Sequence, residues 1–350
     1  MIKNRNLSLD LLRVIACYLV MQQHASEYYY IGDQLSVVTG SNTFWIGIIT
    51  SLCRTSVPLF VMLSGFLLLP MQDSISRFFR KRFTRIVYPF VVWCVIYAIY
   101  FMATRGESVG DLALHILHIP VNFGCEIGHL WYIYMLIGLY LVVPIISPWL
   151  ERAGKRELEG YLALWVLTTF LPYIHLAYPE VLGEVFWNDT PLLYYFTGFI
   201  GYFILGYYLR RYGYPSVLLS WVLLVAGYAV TAGLFCARID TVATIPELEL
   251  SWRFCTVNVL MMSLGLFSLI GRLKLNGQSR GAQLLTDISA KSYGMYLAHI
   301  IVLNFYYGLI HPLTLAAYIA IPLIAVCTFV TVYLLVKVIA WLPKSKYIIG

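Results

Sequence analysis

An all-α polytopic membrane bundle of about ten transmembrane helices, built as one domain over residues 1–350, is predicted by three observations. Apolar residues make up 60% of the chain and charged residues only 12%, about half the usual share for a soluble domain. Apolar runs of about 20 residues, the length that crosses a bilayer, recur from end to end, and mean hydropathy is +0.77. The basic residues fall in alternate loops. The predicted spans are roughly 7–27, 44–70, 83–103, 130–150, 160–178, 191–209, 215–236, 252–271, 293–310 and 314–340.

With those spans, 20 of the 24 Lys and Arg lie on the side that carries both termini, and 11 of the 17 acids lie opposite. The positive-inside rule then places both termini in the cytoplasm of a multi-pass protein of the cell membrane. The net charge of +7 is a topology signal in this reading, not a nucleic-acid footprint. The first span lacks a small-residue cleavage site after it and is expected to stay as a helix rather than leave as a signal peptide. No soluble domain is expected, so the lipid bilayer is the surroundings of all the chemistry. Aromatic residues cluster at span ends, as at Tyr28, Tyr29 and Tyr30, where interfacial belts form.

Span one is apolar but holds Asp10, Arg13 and His24. Arg13 and His24 are eleven residues apart, just over three helical turns, so they share a face about 16 Å apart along the axis. Asp10 lies within side-chain reach of Arg13. The plain reading is a snorkelling arginine and a satisfied interior histidine. A charge near the middle of a membrane helix costs on the order of 3 kcal/mol, however, and function is the usual compensation. A neutral imidazole suits a general base; a guanidinium suits phosphate or carbonyl oxygens.

Span two carries Arg54, about ten residues in, then Pro58, Ser64 and Gly65. Arg54 is expected either to be a paired charge or to steady an oxyanion. Ser64 and Gly65 suit small-residue helix packing, and Pro58 predicts a kink. The run 77–89 is the densest basic cluster. Its first members read as topology signals, whereas Arg82 and Arg85 run into span three on one face and suit an anionic ligand with several phosphates. Segment 111–119 is expected as a short amphipathic surface helix. Span four opens with His129, Trp131 and Tyr132, which read as interfacial aromatics or as site residues. Span nine holds Tyr293 and His299 as intramembrane polar groups. His115 and His118 have ligand-like spacing but no third ligand, so no metal is expected. Phosphate-loop and HExxH motifs are absent from the sequence. Of the seven Cys, only Cys125 and Cys236, near run ends, offer a disulfide.

Together, LDLLR with His24 after it, RTSVPLFVMLSGFLL, RFTRIVYPF, HLWYIYMLIGLYLVVPII and SYGMYLAH resemble the type-3 acyltransferase family of integral membrane proteins. They occur in the expected order across nearly the whole chain. The resemblance is nearest to compact members that O-acetylate a lipid-linked surface glycan. It implies that His24 is the essential histidine at the transfer point, with Arg13 its partner along the donor path. It also implies that Arg82 and Arg85 hold acyl-CoA at the cytoplasmic mouth, and that Ser64 and Gly65 belong to the helix-two SGF motif. Val14 stands where many members have Gly. The implied activity is transfer of an acyl group, acetyl before succinyl, from acetyl-CoA or another acyl-CoA to a glycan or lipid-linked glycan hydroxyl. Asp10, Arg54, His129, Trp131, Tyr293 and His299 are expected as support. A glycan exporter or transporter is the rival reading, and paired or inverted halves, its usual mark, are not visible.

Overall fold

The computed structural model describes residues 5–40, 42–121, 127–178, 180 and 193–350. Its regular elements are helices; among the described residues, extended structure amounts to two isolated bridges, Ile31 with Val37 and Ser36 with Thr244. Cys125 and positions 191 and 192 lie outside the described residues, so the Cys125–Cys236 pairing does too.

Helix α1 spans Leu7–Glu27, its start capped by the Asn6 side chain, which accepts from the Ser8 N–H. Span two is broken. Helix α2, Thr43–Ser51, passes through a 3-10 turn at Leu52–Thr55 into α3, Ser56–Leu68. Pro58 explains the site of the break, because it has no N–H for the carbonyl four residues back, that of Arg54. Helix α4, Ile75–Arg105, has 31 residues and is about 46 Å long, well beyond a hydrocarbon core of about 30 Å. It absorbs the basic run ahead of the predicted start at 83, because no Gly or Pro interrupts residues 75–88. Helix α5, Val109–His118, is closed by a capping box between Ser108 and Asp111 and exposes Val109 and Leu117, as an amphipathic surface helix should.

Helices α6 (Trp131–Arg152), α7 (Lys155–Thr168), α8 (Leu171–Ala177), α9 (Phe199–Tyr212) and α10 (Val217–Arg238) follow. The short α11, Ile245–Leu248, leads through a 3-10 turn to α12, Val257–Gly271. Helix α13, Arg280–Ile310, is again 31 residues long. Helix α14 spans Ala317–Ile339 and α15 spans Lys346–Ile349.

Among the described residues, seven helical segments are long and apolar enough to cross a membrane, or eight if the pair Ile245–Trp252 and Val257–Gly271, bent by 41°, makes one span. The predicted ten differ in two places. Asp10, Arg13, Gln22, Gln23 and His24 lower the hydropathy of α1, and α9 has only 14 residues.

Helix α1 is the hub, packed by α3, α12, α13 and α14. Two other contacts set the bundle's outline, and both depend on missing Cβ atoms. A Cβ on Gly65 of α3 would overlap the Phe203 carbonyl of α9, and one on Gly206 of α9 would overlap the Met62 carbonyl of α3. Backbone-to-backbone contact of this kind replaces the hydrophobic drive that lipid does not supply. The Arg210 guanidinium of α9 then donates to the Phe66 carbonyl at 2.8 Å and to that of Leu69, closing the end of α3. Gly65 is thus a packing residue. Gly65→Ala should destabilise the protein by about 1–3 kcal/mol through overpacking, read as a lower melting temperature in detergent. An unchanged melting curve would mean that α3 and α9 are not held this closely.

Candidate active site

Three histidines distant in sequence meet in the bundle: His24 from α1, His129 from the loop before α6, and His299 from α13. Their ring centroids are 6.2 Å apart for His24 and His129, 5.3 Å for His24 and His299, and 4.9 Å for His129 and His299. His129 and His299 are buried. The Nδ1 of His129 faces the Ile127 carbonyl at 3.3 Å, and that of His299 faces the Tyr296 carbonyl. A carbonyl only accepts, so each Nδ1 carries the proton and each Nε2 a lone pair. Both buried Nε2 atoms lack a hydrogen-bond partner among the described residues, and an orphan of that kind calls for a ligand or a role.

His24 differs. Its Nδ1 lies 2.9 Å from Oε2 of Glu27, one turn on. The carboxylate accepts the Nδ1 proton, fixes the ring and leaves Nε2 as the basic nitrogen. Both side chains keep some exposure, 15% for His24 and 32% for Glu27, so the pair is reachable while its two imidazole neighbours are sealed.

Toward the other end of α1 lies a cavity of about 300 Å³, into which Arg13, Ser64, Arg82, Arg85, Tyr132 and Tyr293 open, with Tyr296 at its inner end. Tyr296 packs 5.6 Å from His129 and 5.7 Å from His299, centroid to centroid, so one ring separates the cavity from the imidazoles. Asp10 explains why Arg13 is available there. The Asp10 carboxylate takes two bonds from Arg5, at 2.6 and 2.8 Å, and one from the Ser289 hydroxyl at 2.6 Å. Arg13 is left with a 3.8 Å approach to Asp10 and a 3.1 Å bond to Ser289. Among the described residues neither Arg82 nor Arg85 forms a salt bridge, and the buried Nε of Arg82 has no partner. Arg85 also lines an adjoining cavity of about 410 Å³ with Arg80, Lys81 and Lys346. A lined space with this much uncompensated positive charge is suited to a polyanion.

Of the remaining predicted residues, Arg54 and Trp131 do not line the arginine cavity. Arg54 is buried and paired, 3.1 Å from Glu249 and 3.2 Å from the Tyr30 hydroxyl, with its guanidinium over the Trp252 ring at 4.3 Å. It is thus a paired charge. Trp131 stacks on Phe254 at 5.7 Å in an aromatic cluster with Phe199. Tyr293 lines the cavity and donates to the Ile86 carbonyl at 2.8 Å, tying α13 to α4. Among the described residues no group of three or more His, Cys, Asp and Glu is placed to hold a metal ion.

Glu27, Tyr296 and Ser289 were not singled out from the sequence. Glu27 had a signal, the i, i+3 spacing from His24. Tyr296 sits three residues from both Tyr293 and His299, on their face of the helix. Ser289 had none, since its role depends on a helix pairing 279 residues from Asp10.

Fold and site together define a multi-pass membrane protein with a basic interior cavity that ends against a histidine cluster. Residues 6–341 match the acyltransferase-3 family, described as an acyltransferase domain, and the chain belongs to that family. It is therefore a membrane acyltransferase by family. No curated protein and no solved structure matches the chain.

Proposed function

We propose that the protein is an O-acyltransferase of the cell membrane that moves an acyl group, acetyl first, from cytoplasmic acyl-CoA to a hydroxyl of a cell-surface or lipid-linked glycan. One observation carries this reading: three arginines without full partners, Arg13 of α1 and Arg82 and Arg85 of α4, line one cavity, and α1 runs on from Arg13 to the His24–Glu27 pair. In the proposed topology α1 and α9 complete ten spans, and both termini and the arginine cavity face the cytoplasm.

The donor's phosphates lie against Arg82 and Arg85, with Arg80, Lys81 and Lys346 beside them. The pantetheine arm runs past Arg13, and the roughly 16 Å from Arg13 to His24 is the length over which the thioester is carried. His24 Nε2 takes the proton of an acceptor hydroxyl as its oxygen attacks the thioester carbonyl. The C–O bond forms, the C–S bond breaks, and the CoA thiolate leaves, taking the proton from His24. Glu27 holds the imidazole in the required tautomer and stabilises the imidazolium that forms in between, the role of the carboxylate in a Ser-His-Asp triad.

His24→Ala should lower acyl transfer from acetyl-CoA by about 10²–10⁴-fold, the range of a general base, with insertion intact. The measurement is CoA release and product formation by purified protein, and near-normal transfer would remove His24 from the chemistry. Arg82→Ala and Arg85→Ala should each raise the donor KM about 10- to 100-fold, as loss of a charge-assisted bond of about 1.5–3 kcal/mol requires. A donor KM unmoved in both variants would return these residues to topology signals. Orientation is read by single cysteines in a Cys-less background with a membrane-impermeant thiol reagent. Asp33→Cys and Glu247→Cys should label on intact cells, and Arg77→Cys, Lys155→Cys and Gln278→Cys only after permeabilisation. Labelling of position 155 or 278 from outside would contradict the shared cytoplasmic mouth.

A further inference from the structure

A third pocket lies on the far side of the imidazole cluster from the arginines. It has a volume of about 250 Å³ and is formed by Tyr97, Tyr100, Thr104 and Arg105 of α4 with Asn304 of α13. The α4 residues recur at helical spacing, so they form one face. Tyr97 is the floor. Its hydroxyl donates to the Leu297 carbonyl at 2.8 Å, and its ring packs 5.3 Å from that of His129. The Tyr97 ring thus lies between this pocket and His129, as the Tyr296 ring lies between the basic cavity and His129.

The chemistry of the two spaces differs. Arg105, at the rim here, lies over the Phe101 ring at 3.7 Å and 3.6 Å from Glu107, so its charge is already spoken for. The Asn304 amide donates to the Tyr100 hydroxyl at 3.0 Å and accepts from the Tyr28 hydroxyl. An amide has two N–H donors and two lone pairs on its oxygen, so one of each remains. Tyr100 accepts in that bond and keeps its own O–H to give. The Thr104 hydroxyl donates to the Tyr100 carbonyl at 2.8 Å and keeps its lone pairs. Tyr28, which follows the end of α1 four residues after His24, stacks on Tyr307 at 4.0 Å and so holds Asn304 against the turn that carries His24 and Glu27.

We infer that this pocket is the acceptor site and takes a single pyranose ring, whose hydroxyls meet Asn304, Tyr100 and Thr104 and whose C–H face lies on the tyrosine rings. The inference rests on the acyltransferase reading and adds where the acceptor sits and what class of ring it presents. Neutral donors and acceptors set among aromatic faces suit a polyol ring, whereas the arginine cavity suits phosphates. The volume falls just below the roughly 300–1,000 Å³ of pockets for larger ligands, so one ring fits and a chain of rings extends outward past Arg105.

The test uses the full chain in nanodiscs with methyl glucoside, methyl galactoside and methyl rhamnoside as probes. Saturation-transfer NMR without donor reads binding. CoA release from acetyl-CoA reads transfer. Transfer of saturation to at least one glycoside is expected, together with an increase of about tenfold in that glycoside's KM in Asn304→Leu, the size of one lost hydrogen bond, at unchanged acetyl-CoA KM. Thr104→Trp, which fills the pocket from its exposed rim, should abolish the saturation transfer even if Asn304→Leu fails to fold. Glycoside KM and saturation transfer unchanged in Thr104→Trp would overturn the assignment while leaving the acyltransferase reading intact. Saturation transfer to none of the three would overturn the pyranose assignment. Glycoside binding lost in Thr104→Trp, but with no His24-dependent CoA release from the parent protein, would leave a sugar pocket and remove both the acyltransferase reading and the acceptor role.

Discussion

The bond pattern around the Asp10 carboxylate fixes what the rest of the interior does. A carboxylate that is 3% exposed in a membrane bundle must be fully paired, because stranding a buried charge is strongly destabilising. Arg5 and Ser289 supply that pairing. Arg5 comes from the chain just before α1 and Ser289 from α13, so the carboxylate pins α1 to α13 at their basic ends. The same pairing leaves Arg13 only partly neutralised. One buried acid thus both aligns the two helices that carry His24 and His299 and keeps a guanidinium free to face the cavity.

The charges inside the bundle divide according to where their partners are. Arg54 has its counter-ion within the chain, in Glu249, and its guanidinium is also covered by the Trp252 ring. Arg210 and Arg211 spend their donors on backbone carbonyls at the ends of neighbouring helices. Arg82 and Arg85 have neither kind of partner among the described residues and open into a cavity. Charge alone does not separate these groups, since all of them are arginines inside or beside predicted spans.

Helix packing provides the rigidity the site needs. Glycines at the α3–α9 contact let the backbones touch, and a similar arrangement recurs between α10 and α12, where a Cβ on Gly227 would crowd the Asn258 carbonyl and one on Gly265 the Ser220 carbonyl. Asn258 is itself satisfied by Thr231, Ser251 and Tyr173. The long helices α4 and α13 cross the whole bundle. Each lines the arginine cavity near one end and the tyrosine pocket near the other, so the spacing between the two is set by continuous helix rather than by loops.

Hydropathy, charge bias and helical spacing determined, from the sequence alone, the all-helical membrane class, the surface helix read at 111–119, the break near Pro58 and the shared face of Arg13 and His24. These are local or additive properties, readable along one stretch of chain. Arg82, Arg85, Ser64 and Tyr293 line one cavity with Arg13, a grouping that geometry along the chain does not supply. Tertiary structure alone decided three things: that His129 and His299 join His24, that Arg54 is neutralised by Glu249, and that Ser289 completes the shell of Asp10. Each depends on pairing between helices far apart in sequence, and an apolar helix surface carries little record of its partner, because lipid and a neighbouring helix present it with nearly the same chemistry.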